Sequence, residues 1–63
     1  MPTIRIDITT LTKEQKAELA ARLTRTAHEV LPHIPESAFT IYIKENSPDN
    51  IALGGTLLSD RKK

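Results

Sequence analysis

Two stretches of this chain alternate polar and bulky apolar residues with a period of two: Thr3-Ile4-Arg5-Ile6-Asp7-Ile8 and Phe39-Thr40-Ile41-Tyr42-Ile43-Lys44. That period marks strands with one covered face, because successive side chains on extended backbone point to opposite sides. Ile4, Ile6 and Ile8 in the first run, and Phe39, Ile41 and Ile43 in the second, are expected to face a core. Arg5, Asp7, Thr40, Tyr42 and Lys44 fall on the other face. Between the runs, Leu19, Ala20, Leu23, Ala27, Val30 and Leu31 recur at three- and four-residue steps, while Lys16, Glu18, Arg22, Arg25 and Glu29 fall largely between them. This is the single apolar stripe of a helix on a protein surface. Thr12-Lys13-Glu14-Gln15 has the spacing of a capping box, so the helix is expected to begin near Lys13. Pro32 cannot donate to the helical ladder and Pro35 follows it closely, so the helix should stop near Leu31.

Strand, helix and strand in this order predict a β-α-β unit with parallel strands and a right-handed crossover. After it come the turn formers Asn46-Ser47-Pro48-Asp49-Asn50, then Gly54-Gly55, which permit a tight reversal before Thr56-Leu57-Leu58. The expected fold class is therefore α+β, one domain over residues 1–63, with a short C-terminal hairpin. Such a unit has one helix for two sheet faces, and parallel sheets are normally covered on both. A chain of 63 residues also hides only about 60% of its unfolded surface. The absence of cysteine removes disulfides and thiolate metal sites as staples. Self-association is the remaining remedy: two units joined edge to edge would form a four-stranded sheet with two helices, and stacking such sheets would cover the polar face. Pockets would then lie between subunits.

Nine basic and eight acidic side chains leave a net charge of +1, which offers no electrostatic footprint for nucleic acid or an anionic membrane. No apolar run approaches the ~18 residues of a bilayer span, and no secretory leader pattern is visible, so the expected address is the cytoplasm. A small-molecule partner is expected.

A chain of about this length that begins with Pro2 and an alternating strand, carries Glu14-Gln15-Lys16 at its helix start, ends its second strand in Lys44-Glu45 and continues Asn50-Ile51-Ala52-Leu53-Gly54-Gly55 resembles the 4-oxalocrotonate tautomerase family. The resemblance covers nearly the whole chain. It implies a homohexamer built as a trimer of dimers, a cofactor-independent keto-enol isomerase, and Pro2 as the catalytic group acting on an enol or α-keto acid. The chemistry of Pro2 stands independently. Once Met1 is removed, the ring nitrogen is a secondary amine whose lone pair is free, and an α-amino group titrating near ~8 is brought toward neutrality by burial or nearby cations. General bases work best there. The rigid ring also fixes the direction of the lone pair.

The departures from the family pattern are as informative. Members that process dicarboxylate enols carry arginines just after the first strand and in the second strand, with an aromatic residue in the later loop. Here those places hold Leu11, Thr40 and Ile51. Two guanidinium forks for carboxylates are thus missing, and a less charged substrate is expected. Arg5, Lys44 and Arg61 are the alternative cations. Arg5, Thr40, Tyr42, Ile51 and Leu11 are therefore the candidate substrate-binding residues beside Pro2. Rival readings are a dehalogenase or hydratase, for which only Glu45 could activate water, and a non-catalytic or partner-dependent subunit of a hetero-oligomer.

Each candidate also has a plain structural reading. Proline is a common second residue whatever the function. Tyr42, Arg5 and Asp7 can serve subunit contacts. His28 and His33 are five apart with Pro32 between them, which does not match a zinc-binding helix, so no metal site is expected. Gly54-Gly55 suits a turn better than an anion site, and Arg61-Lys62-Lys63 suits a solvated tail.

Overall fold

A computed structural model describes residues 1–61; Lys62 and Lys63 of the expected basic tail lie outside the described residues. The chain runs through β1 (Thr3–Ile8), α1 (Lys13–Val30), β2 (Thr40–Glu45), β3 (Ala52–Leu53) and β4 (Thr56–Leu57). Short 3-10 turns occupy Glu36–Ala38, Pro48–Asn50 and Leu58–Asp60. β1 and β2 pair in parallel, with Thr3 opposite Thr40, Arg5 opposite Tyr42 and Asp7 opposite Lys44. β3 and β4 form a separate antiparallel hairpin.

Local chemistry sets the ends of α1. The Gln15 backbone N–H donates to Thr12 Oγ1 at 3.1 Å and the Thr12 N–H donates to Gln15 Oε1 at 2.9 Å, which completes the capping box. At the other end the Leu31 N–H closes the last turn on the Ala27 carbonyl at 2.9 Å, and Pro32 has no N–H to extend it. His28 Nδ1 lies 2.7 Å from the Ile34 carbonyl, so the protonated ring nitrogen donates across the chain reversal and ties it to the helix. His33 stays exposed in the turn. Gly54 and Gly55 adopt φ of 59° and 86°, the left-handed geometry that the reversal between β3 and β4 requires.

Two details differ from the sequence pattern. Val30, expected within the apolar stripe, is 73% exposed, because it is the last residue of α1 and the chain beyond it turns away. The second strand begins at Thr40, since the Phe39 N–H is already used by the Glu36 carbonyl at 3.1 Å in closing the preceding turn.

The isoleucines of β1 and β2 lie under α1 and are half-buried, yet none of the described residues is fully buried. The accessible surface is 5127 Å², against roughly 4,000 Å² for a compact monomer of this mass. The radius of gyration is 15.3 Å, where about 11 Å is typical for this length. The excess comes from the C-terminal arm, which carries Leu53 at 58% and Leu57 at 36% exposure away from the β-α-β body, and from the uncovered sheet face. This protomer has the shape of a part.

Candidate functional site

Pro2 sits at the N-terminal end of β1, half-buried, and its carbonyl accepts the Thr40 N–H at 3.0 Å. This bond extends the parallel ladder by one step and holds the proline against the start of β2. The preceding residue, Met1, is 93% exposed, so its removal would cost almost no packing. Thr40 is thus the immediate neighbour of Pro2, and its register partner Thr3 follows Pro2 directly.

Arg5 and Tyr42 lie one alternation further along the same sheet face. They are register partners, and the Arg5 guanidinium carbon stands 4.8 Å from the centre of the Tyr42 ring, within cation–π range. Among the described residues Arg5 makes no ion pair; the salt bridges are Lys16–Glu45 and the helical pair Arg22–Glu18. Further along the face, Asp7 and Lys44 occupy opposite register positions. The Pro2 end of this face therefore carries one unpaired cation.

Leu11 and Ile51 are at the other end. The Leu11 N–H donates to Glu45 Oε2 at 3.0 Å, which places Leu11 beside the last residue of β2. Ile51 follows that strand after the Pro48–Asn50 turn, and its carbonyl accepts the Leu58 N–H at 2.8 Å. Six residues of strand separate Pro2 from this end, a span of roughly 20 Å. Within one protomer, then, the structure brings together Pro2, Thr40, Arg5 and Tyr42, and leaves Leu11 and Ile51 too far away to touch the same small molecule.

The carboxylate of Glu45 is already engaged. It accepts the Lys16 ammonium at 2.6 Å as well as the Leu11 N–H, and the hydrogen bond from Lys16, followed by that from Leu11, holds its pKa below the ordinary value of 4.5. A carboxylate so occupied bolts the end of β2 to the start of α1 and to the intervening loop. It is not poised to activate water, which removes the one residue that the hydratase reading had to offer. Sequence reasoning named Glu45 but not these partners, because they come from three separate elements and share no spacing signal. A groove of about 310 Å³ lined by Leu11, Gln15, Glu18, Leu19 and Arg22 runs along the helix, and of the candidate residues it includes Leu11 alone. Among the described residues no three His, Asp or Glu side chains converge as a metal site would need, and no helix is long and apolar enough to cross a membrane.

Comparison with known proteins completes the assignment. The chain is similar to TomN, a 4-oxalocrotonate tautomerase homologue of the tomaymycin biosynthetic pathway, with 30% identity, a TM-score of 0.86 and coverage of 95% of this chain and 92% of that one. A heterohexamer 4-oxalocrotonate tautomerase from Chloroflexus aurantiacus matches at 28% identity and a TM-score of 0.85, over 98% of this chain and 100% of its own. DmpI from Archaeoglobus fulgidus shares 34% identity at a TM-score of 0.82, with 94% and 100% covered. No curated protein sequence matches. The profile of the family described as tautomerase enzyme matches residues 2–61, beginning at Pro2. On fold, coverage and sequence together, this chain belongs to the tautomerase family, whose members are generally isomerases.

Proposed function

We propose that this protein is a cofactor-independent keto-enol tautomerase in which the amine of Pro2, freed by removal of Met1, is the general base and then the general acid. The amine takes the proton from an enol hydroxyl as the oxygen becomes a carbonyl, and the same proton is returned to the adjacent carbon. Nothing is added or lost. The observation that carries this reading is the anchored position of Pro2, half-buried at the sheet end with its carbonyl on the Thr40 N–H, next to a fully exposed and dispensable Met1. Arg5, Thr40 and Tyr42 line the approach from the same protomer.

The working unit is an assembly of copies, most simply a homohexamer as a trimer of dimers. The free edge of β1, the uncovered face of the sheet and the exposed leucines of the C-terminal arm all call for partners. In an antiparallel edge pairing, the Pro2 end of one β1 lies beside the Leu11 end of the next, which delivers Leu11 and Ile51 to a site they cannot reach within their own chain. A second reading, a subunit that works only with a different partner chain, has support in the heterohexamer relative.

The test is ketonisation of phenylenolpyruvate by the parent and by Pro2→Ala, with intact mass measured first. A chain lacking Met1 whose rate falls roughly 10²- to 10⁴-fold in the variant supports the reading. Equal rates, or a mass that retains Met1 in an active sample, sink it. Activity that appears only after a second chain is added supports the mixed assembly.

A further inference from the structure

Resting on the tautomerase reading, the geometry points to Arg5, braced by Tyr42, as the single carboxylate-binding group of the site, and so to 2-enol (2-oxo) monocarboxylic acids with an apolar substituent as the substrate class. Four observations lead there. The Arg5 guanidinium stands over the Tyr42 ring, its register partner on the neighbouring strand, at 4.8 Å. An aromatic contact occupies the face of a guanidinium and leaves its in-plane N–H fork open, which is the edge that grips a carboxylate bidentately. No acidic group among the described residues takes that fork, and the acid two positions along the same strand face, Asp7, lies opposite Lys44 rather than Arg5. The bracing ring also reduces the side-chain freedom that would be lost on binding.

Distance adds a constraint on the ligand. Three residues of strand from Pro2 to Arg5 cover about 10 Å. A bidentate guanidinium–carboxylate contact, the two carbon–carbon bonds from the carboxyl carbon to C3 of an enol acid, and a near-attack approach of about 3 Å to the amine together span a similar length. A substrate held at its carboxylate by Arg5 therefore presents C3, the carbon that receives the proton, to Pro2. With one cation free near Pro2, a second carboxylate would be desolvated without a partner, a penalty that selects against dicarboxylates. The groups that a neighbouring copy brings to this end, Leu11 and Ile51, are apolar and suit a hydrocarbon tail.

The experiment has a binding arm and a rate arm. Cinnamate and its uncharged amide, cinnamamide, are titrated into the assembled parent, Arg5→Gln and Arg5→Lys, with the oligomeric state of each followed by native mass spectrometry. The parent is expected to bind cinnamate about 10- to 100-fold more tightly than the amide, and Arg5→Gln to lose that preference while keeping its assembly. Arg5→Lys, which keeps charge without the fork, should fall between them. In the rate arm, ketonisation of phenylenolpyruvate should drop by a similar factor in Arg5→Gln, while that of its methyl ester stays within about twofold. Equal affinity of the parent for acid and amide overturns the proposal, as does a loss of assembly in both Arg5 variants, which would make Arg5 a subunit contact. Carboxylate-selective binding by a parent that lacks proton-transfer activity would uphold the Arg5 assignment and count against Pro2 alone.

Discussion

The roughly 20 Å between the Pro2 end of the sheet and the Leu11–Ile51 end leads to a complementation experiment with a numerical outcome. Pro2→Ala removes the base, and Ile51→Asp places a charge where an apolar wall is needed; each variant alone should lose at least about 100-fold in kcat/KM, or roughly 2.7 kcal/mol of transition-state stabilisation. Coexpressed in equal amounts and assembled at random, the two chains generate sites in which a functional Pro2 from one copy meets a functional Ile51 from another. If every site draws these residues from different copies, about one site in four is intact, and the mixture should show about a quarter of the parent specific activity. If both residues came from a single chain, no chain would carry an intact pair and the mixture would be as inactive as its components. The assay is phenylenolpyruvate ketonisation on assemblies whose mixed composition is verified by native mass spectrometry. Verified mixed assemblies without recovered activity would refute the shared-site geometry. Full activity in Ile51→Asp alone would remove Ile51 from the site.

Two further outcomes follow from the single protomer. Thr12→Ala deletes the acceptor that receives the Gln15 N–H at 3.1 Å and should lower stability by about 1 kcal/mol, a fall in Tm of several degrees, whereas Thr12→Ser should restore most of it; thermal unfolding at one fixed protein concentration measures both. Glu45 has a folded-state pKa depressed by its hydrogen bonds from Lys16 and the Leu11 N–H, so its contribution is present above the ordinary carboxylate pKa and is lost as pH falls through the lower folded value. Denaturant midpoints measured between about pH 3 and 6 should therefore decline on acidification in the parent and decline less in Glu45→Gln. An identical slope in the two proteins would show that the clamp contributes nothing measurable.

Local order was readable from residue pattern because each element is specified by neighbours in sequence. Alternating isoleucines place β1 and β2, Thr12 and Gln15 start the helix, Pro32 stops it, and Gly54-Gly55 supply the positive φ of the hairpin. These are short-range rules of sterics and hydrogen bonding, and they also expose the central deficiency of the chain, a sheet face without cover. What escaped the pattern depends on position along the sheet. Only the register sets Arg5 over Tyr42, only the folded chain brings Lys16 and the Leu11 amide to the Glu45 carboxylate, and only the length of the strands separates Pro2 and Thr40 from Leu11 and Ile51. Periodicity tells which side a residue faces but is silent on which residues of distant segments meet. That is decided by strand pairing, a contact between parts of the chain more than thirty residues apart, and it is the reason that the candidate residues, adjacent in a notional list, divide between the two ends of one protomer.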